Sequence, residues 1–245
     1  MFNFLANPVR FSRLSLKMKP WIGCFTLCFL LSGLWFALLS SPADYQQGDT
    51  VRIMYVHVPC AWIAMFVFLF LATFSLIGLI WRHPLAYVIA QSAAPIGACF
   101  TLLCLITGSL WGKPMWGTWW VWDARLTSVL ILFFLYLGVM TLHKAFDDPI
   151  RCEKSAAILA IFGLINLPII KFSVDWWNTL HQPASVIKMS GPSIHFSMLT
   201  PLFLVAFSFI CFFFYVLLIR IETILASKRL EALHRQFGKL SLIHI

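Results

Sequence analysis

The stretch VPCAWIAMFVFLFLATFSLIGLIW, Val58 to Trp81, carries no charged residue. A hydrocarbon core of ~30 Å needs about 20 apolar residues in a helix rising 1.5 Å per residue, so this run is long enough to cross a membrane. It lacks the strict apolar/polar alternation of a barrel strand. In lipid, a chain that must satisfy every backbone N–H and C=O within its own segment is a helix.

Five more runs of the same kind flank it: Trp21 to Ser41, Ala86 to Leu110, Leu126 to Leu142, Ser155 to Ile170, and Leu199 to Ile219. The chain is 61% hydrophobic and 11% charged, against roughly a quarter charged in soluble domains, which excludes a soluble globule. Its 24 Phe, 12 Gly and 12 Pro exclude disordered and collagenous classes. The expected fold is an all-α polytopic membrane protein, a six-helix transmembrane bundle forming one membrane domain over residues 1–245. The fifth run is the weakest, because Asn166 and Pro168 fall near its end. Without it, however, the basic loops would lie on both sides of the bilayer. The first run exceeds the 7–15-residue apolar region of a signal peptide and is read as a retained span.

The 18 Lys and Arg against 9 Asp and Glu give a net charge of +9. Most of the cations (Arg10, Arg13, Lys17, Lys19, Arg82, Lys144, Arg151, Lys154, Arg220, Lys228, Arg229, Arg235 and Lys239) fall in four segments that six spans place on one side. The positive-inside rule makes that side cytoplasmic, with both termini on it, and assigns the charge to topology and membrane lipid rather than to nucleic acid. Arg52, Lys113, Arg125, Lys171 and Lys188 remain for the outer loops. The 7 Cys are odd in number and mostly lie in apolar runs, so they read as packing residues. No Cys-x-x-Cys-His occurs, so haem would not be held covalently.

Three outer segments remain for function: Pro42 to His57, Trp111 to Arg125, and Lys171 to Ser197. The second holds Trp111, Trp116, Trp119, Trp120 and Trp122, and the third adds Trp176 and Trp177. Indoles favour the headgroup level, so an interfacial belt is one reading. The Gly and Pro interrupting the cluster favour the other, a rigid platform for a large flat apolar ligand. Asp123 and Arg125 sit where the loop re-enters the membrane, either as a helix cap and a snorkelling cation or as functional groups. Arg52 is an outer cation that an anionic ligand could meet. His57 opens the second span, where the positive helix end favours neutral imidazole, the form that ligates metals. Residues 173 to 183 read as a short interfacial helix, capped at Asp175 or Ser173 and stopped at Pro183, with His181 one turn after Trp177.

Two imidazoles without thiolates or a carboxylate cluster are too few for a closed zinc site. They match the two axial positions of a haem iron. Haem also offers a flat face to indoles and two propionates to Arg52 and Arg125; His195 has no part in this scheme. No Walker A, dinucleotide-binding, His-Glu-x-x-His or Gly-x-Ser-x-Gly pattern is present, so no enzymatic chemistry is indicated.

The runs WGKPMWGTWWVWDARLTS (Trp111 to Ser128), ADYQQGDTVRIMYVHVP (Ala43 to Pro59), APIG (Ala94 to Gly97) and NLPIIKFSVDWWNTLHQ (Asn166 to Gln182) resemble the tryptophan-rich WWD family of haem-handling membrane proteins. The resemblance is to its cytochrome c maturation C-component branch and covers about Pro42 to Pro183. It implies a haem b held non-covalently and transiently on the periplasmic face of the bacterial inner membrane, between His57 and His181, with the WWD loop around the ring. It further implies delivery to a membrane-anchored periplasmic haem chaperone, beside a small single-span subunit and the membrane and ATPase subunits of an ABC transporter. The alternative, a b-type-cytochrome-like electron-transfer subunit, would pair histidines inside the apolar spans, and none lies there.

Overall fold

The computed structural model describes residues 8–182, 185, 186 and 191–243; Pro183, Lys188 and the extreme termini lie outside them. The chain folds into helices α1 (Pro8–Trp35), α2 (Met54–Trp81), α3 (Pro84–Trp116), α4 (Ala124–Leu142), α5 (Pro149–Gly163), α6 (Asn166–Trp176) and α7 (Phe196–Ile243). A π-helical turn, Phe36–Ser40, extends α1, and a 3-10 turn, Asp49–Ile53, leads into α2. With α5 and α6 counted as one interrupted span, six segments are long and apolar enough to cross a membrane. The chain is a multi-pass membrane protein, and many of its large apolar side chains face outward as lipid-facing residues should.

Local chemistry sets the boundaries. Pro84 and Pro149 occupy first turns, where a missing N–H costs nothing. Asp148 caps α5 through Ile150 N–H (2.9 Å), and Asp123 caps α4 through Leu126 N–H (2.7 Å). Helix α3 runs past the expected end at Leu110 and carries Trp111 and Trp116 on its last two turns. It stops at Gly117, whose φ of 75° only glycine adopts freely, with the Gly117 N–H bonded to Lys113 C=O (3.0 Å). Helix α7 is the longest, and its 48 residues correspond to about 72 Å at 1.5 Å per residue.

The fifth span breaks at Leu164 and Ile165. Pro168 has no N–H to give the Leu164 carbonyl, which instead accepts from Leu167 at 3.1 Å, and the helix restarts at Asn166. Below the break α5 packs on both α2 and α4. Above it, Asn166 Nδ2 bonds Ser128 C=O of α4 (2.9 Å), and α6 packs chiefly on α4. The main core lies where α2, α3, α4 and α7 meet, around Phe68, Leu71, Leu132, Tyr136 and Phe213. Helix α1 is held on the outside of α7 by Lys19–Glu222 (2.6 Å) and by Ser208 Oγ donating to Thr26 C=O (2.9 Å).

Candidate functional site

At the end of the bundle where α2 begins and α3 ends, a cavity of about 400 Å³ opens between α2, α3, α4 and α6. His57 and His181 both line it, together with Trp111, Trp116, Trp120 and Arg125. Sequence reasoning missed Trp62, Lys171 and four methionines in the wall, Met54, Met65, Met115 and Met198. Apolar residues inside an apolar span look alike in sequence, and only helix packing sorts those facing a cavity from those facing lipid.

His57 stands one turn into α2. Its Nδ1 lies 3.1 Å from Cys104 C=O and 3.1 Å from Thr107 Oγ1, both on α3. The carbonyl can only accept, and the Thr107 hydroxyl is spent on Leu103 C=O (2.6 Å), so Nδ1 carries the proton and Nε2 keeps its lone pair. The ring sits edge-on to Trp111, with centroids 5.7 Å apart. Gly108 makes room for it, since a Cβ there would lie 3.0 Å from His57 Cε1.

His181 is held in an unrelated way that reaches the same result. The expected interfacial helix over 173–183 does not form: α6 ends at Trp176, Ser173 is buried within it, and Trp177 is extended at φ −135°. The cause lies in the last turn of α6. Ser173 and Asp175 are not caps, because the helix has already run since Asn166. His181 therefore shares no helix face with Trp177 and projects from an irregular strap. Its Nδ1 is 3.2 Å from Asp123 Oδ2, while Thr179 Oγ1 donates to the same oxygen (2.6 Å) and accepts from the His181 N–H (3.0 Å). Burial alone would raise the Asp123 carboxyl, but the bonds from Thr179 and Leu126 and the neighbouring His181 overcome it and leave the group below the usual range. As a carboxylate it only accepts, so His181 Nδ1 carries the proton and Nε2 is again free. Burial lowers the pKa of His181 against the opposing pull of Asp123, which keeps the ring neutral. Trp116 packs edge-on to it, with centroids 4.9 Å apart.

Asp123 is thus both the α4 cap and the orienting group for His181. Arg125 neither snorkels nor stands free: its Nε bonds Ser173 Oγ (3.0 Å) and its Nη2 bonds the carbonyls of Ile170 and Lys171 (each 3.3 Å), tying α6 to α4 while one side faces the cavity. Arg52 does not line the cavity. Its guanidinium bonds Asp49 (3.0 Å), Ala37 C=O (3.1 Å) and Leu38 C=O, closing the orphan carbonyls at the end of the first span. The seven outer tryptophans divide. Trp111, Trp116 and Trp120 face the cavity, whereas Trp119, Trp122, Trp176 and Trp177 are exposed outside it. His195 is also outside, bonded to Ser197 Oγ (2.8 Å) at the start of α7.

The donor set fits a haem-sized ligand. Two neutral imidazoles, whose Nε2 atoms have no partner among the described residues, line one apolar, indole-walled cavity, with the cations Arg125 and Lys171 in its wall. Trp120 Nε1 is buried without a partner among the described residues, a donor with its hydrogen bond still to make. Among those residues no cluster of three or more His, Cys, Asp or Glu competes as a metal site.

Comparison with known proteins identifies the family. The family model for heme exporter protein C matches residues 1–236. A heme exporter protein C of Bradyrhizobium diazoefficiens is 55% identical over 98% of this chain and 88% of its own. One from Haemophilus influenzae is 49% identical over 88% of this chain and 87% of its own. A ccmC-like mitochondrial protein of Marchantia polymorpha, named for cytochrome c biosynthesis, is 51% identical over 74% of this chain and 78% of its own. A transmembrane bundle ending in two oriented histidines, with a family match across nearly its whole length, places the chain in the heme exporter protein C family.

Proposed function

We infer that this chain binds haem b non-covalently at the outer end of its helix bundle and hands it to a membrane-anchored periplasmic haem chaperone during cytochrome c maturation. It is a haem-handling membrane component rather than an enzyme. One observation carries the reading: His57 and His181 line a single cavity, and each is tied through Nδ1 so that Nε2 is available, the arrangement in which orienting partners fix the tautomer of a metal-ligating histidine. The two Nε2 atoms would hold the haem iron when haem is bound. The chain's own contribution is to orient them, to shield the ring with Trp111, Trp116 and Trp120, and to offer Arg125, Lys171 and the Trp120 N–H to the propionates.

The distribution of Lys and Arg supports an inner-membrane topology with both termini cytoplasmic and the cavity on the periplasmic side. The family's working setting, beside a small single-span subunit and an ABC transporter, supplies the energy input that this chain has no nucleotide motif to provide. The test is covalent haem on the chaperone co-expressed with this chain. Labelling is expected with the unaltered protein and is lost when His57 and His181 are both Ala while the chain still accumulates in the membrane. Undiminished labelling with the double variant would overturn the reading.

A further inference from the structure

The cavity does not stop at the surface. On α2 its wall runs from His57 through Ala61 to Met65, eight residues or about 12 Å down the helix, which carries it from the headgroup level into the hydrocarbon. About one turn deeper on α2, below the lining, Gly163 at the end of α5 meets Phe68 so closely that a Cβ would come within 2.6 Å of Phe68 Cζ. Below that crossing α5 seals the space against α2. Above it, past the break at Leu164 and Ile165, α6 is held onto α4 at both ends, by Asn166 to Ser128 and by Arg125 to Ile170, Lys171 and Ser173. Between α2 and α6, which pack on each other far less than α6 does on α4, a seam lies in the outer half of the bilayer, closed at rest, with Ala61 and Met65 on one lip and the buried Ile170 on the other.

We propose that this seam is a lateral route by which haem passes edge-on from the outer leaflet into the site between His57 and His181. The proposal rests on the haem-binding reading above. The chemistry of the lips suits such a passage. Alanine, methionine and isoleucine present no donor or acceptor to an apolar porphyrin edge, and methionine is flexible enough to yield to it. The cations Arg125 and Lys171 wait at the headgroup end, where carboxylates would remain solvated. A site loaded only from the periplasm would need no apolar limb reaching so far below its histidines.

Leu167 allows a test without altering the wall. It lies three residues before Ile170 on the same helix, hence one turn deeper on the face that Ile170 turns to the seam, and it is half-buried but not part of the cavity lining. Leu167→Trp should obstruct the lower mouth and Leu167→Ala should widen it. Each is reconstituted into phospholipid vesicles and mixed with vesicles carrying haem, and loading is followed by haem absorption. In parallel, haem is titrated into the same proteins in detergent, where approach from lipid is not required. The expected result is loading from vesicles slowed about tenfold by Leu167→Trp and unslowed by Leu167→Ala, with detergent affinities within about threefold of the unaltered protein. Equal loading rates for all three would overturn the route, and so would parallel losses in both arms, which would make the seam part of the resting site alone. Failure of the unaltered protein to bind haem in detergent would overturn the site itself and the route with it.

Discussion

Replacing Asp123 by Asn separates the two tasks of this side chain. Asn caps a helix as well as Asp does, so the bond from Leu126 N–H (2.7 Å to Oδ1) survives if the amide oxygen takes that place. The amide nitrogen then replaces Oδ2, which accepts from Thr179 Oγ1 (2.6 Å) and His181 Nδ1 (3.2 Å). The Thr179 hydroxyl can turn away, but the Nδ1–H of His181 now faces another donor. The ring must rotate or move its proton to Nε2, and either change withdraws the lone pair meant for iron. Loss of such an orienting partner typically lowers metal affinity by about 10–100-fold, or about 1.4–2.8 kcal/mol. Asp123→Ala should add about 1 kcal/mol of lost helix stability because the cap goes too. The assay is haem titration in detergent by absorption, with thermal unfolding measured alongside. An Asp123→Asn protein that binds haem within about threefold of the unaltered chain would refute the orienting role.

Other consequences follow from neighbouring contacts. Gly108→Ala should weaken haem binding by about tenfold while leaving the chain folded, since the methyl must push His57 from 3.0 Å contact even as alanine favours the helix; titration and unfolding together check it. Trp116→Ala, which removes the edge contact on His181, should lower affinity by about 2–12-fold, the equivalent of ~0.5–1.5 kcal/mol. Trp122→Ala should change affinity by less than about threefold, because that ring is 76% exposed and outside the cavity. On the opposite face, burial and then the nearby Lys228 push His143 down to about 4. The unfolded chain protonates near 6.5, so this group's stability is full above that pH and declines as pH falls to about 4, by up to ~3 kcal/mol. His143→Gln should flatten that acid limb in pH-dependent unfolding.

The sequence made the six spans legible because about 20 apolar residues in a row have few alternatives in lipid. It also brought His57, His181, Trp111, Trp116, Trp120 and Arg125 to one end of the bundle, where the structure gathers them around one cavity. What it misjudged depended on local hydrogen bonding. A helix over 173–183 was expected because Asp175, Trp176 and Trp177 fit a capped start, but the chain already enters that segment as helix from Asn166 and leaves it at Trp176. Arg52 looked free for a ligand because the carbonyls it closes, on Ala37 and Leu38, belong to another span. The exposed positions of Trp119, Trp122, Trp176 and Trp177 depend on where α3 and α6 end. That leaves three tryptophans on the cavity and four outside it.

The most direct test of the account is the electron paramagnetic resonance spectrum of ferric haem bound to the purified chain and to its histidine variants. Two imidazole nitrogens on one iron predict a low-spin, six-coordinate signal. His57→Ala or His181→Ala should each give a high-spin or readily lost haem, restored to low spin by added imidazole, and the double variant should bind no haem stably. A low-spin six-coordinate signal that persists with His57, His181 and His195 all replaced would show that the iron's ligands lie elsewhere in the chain.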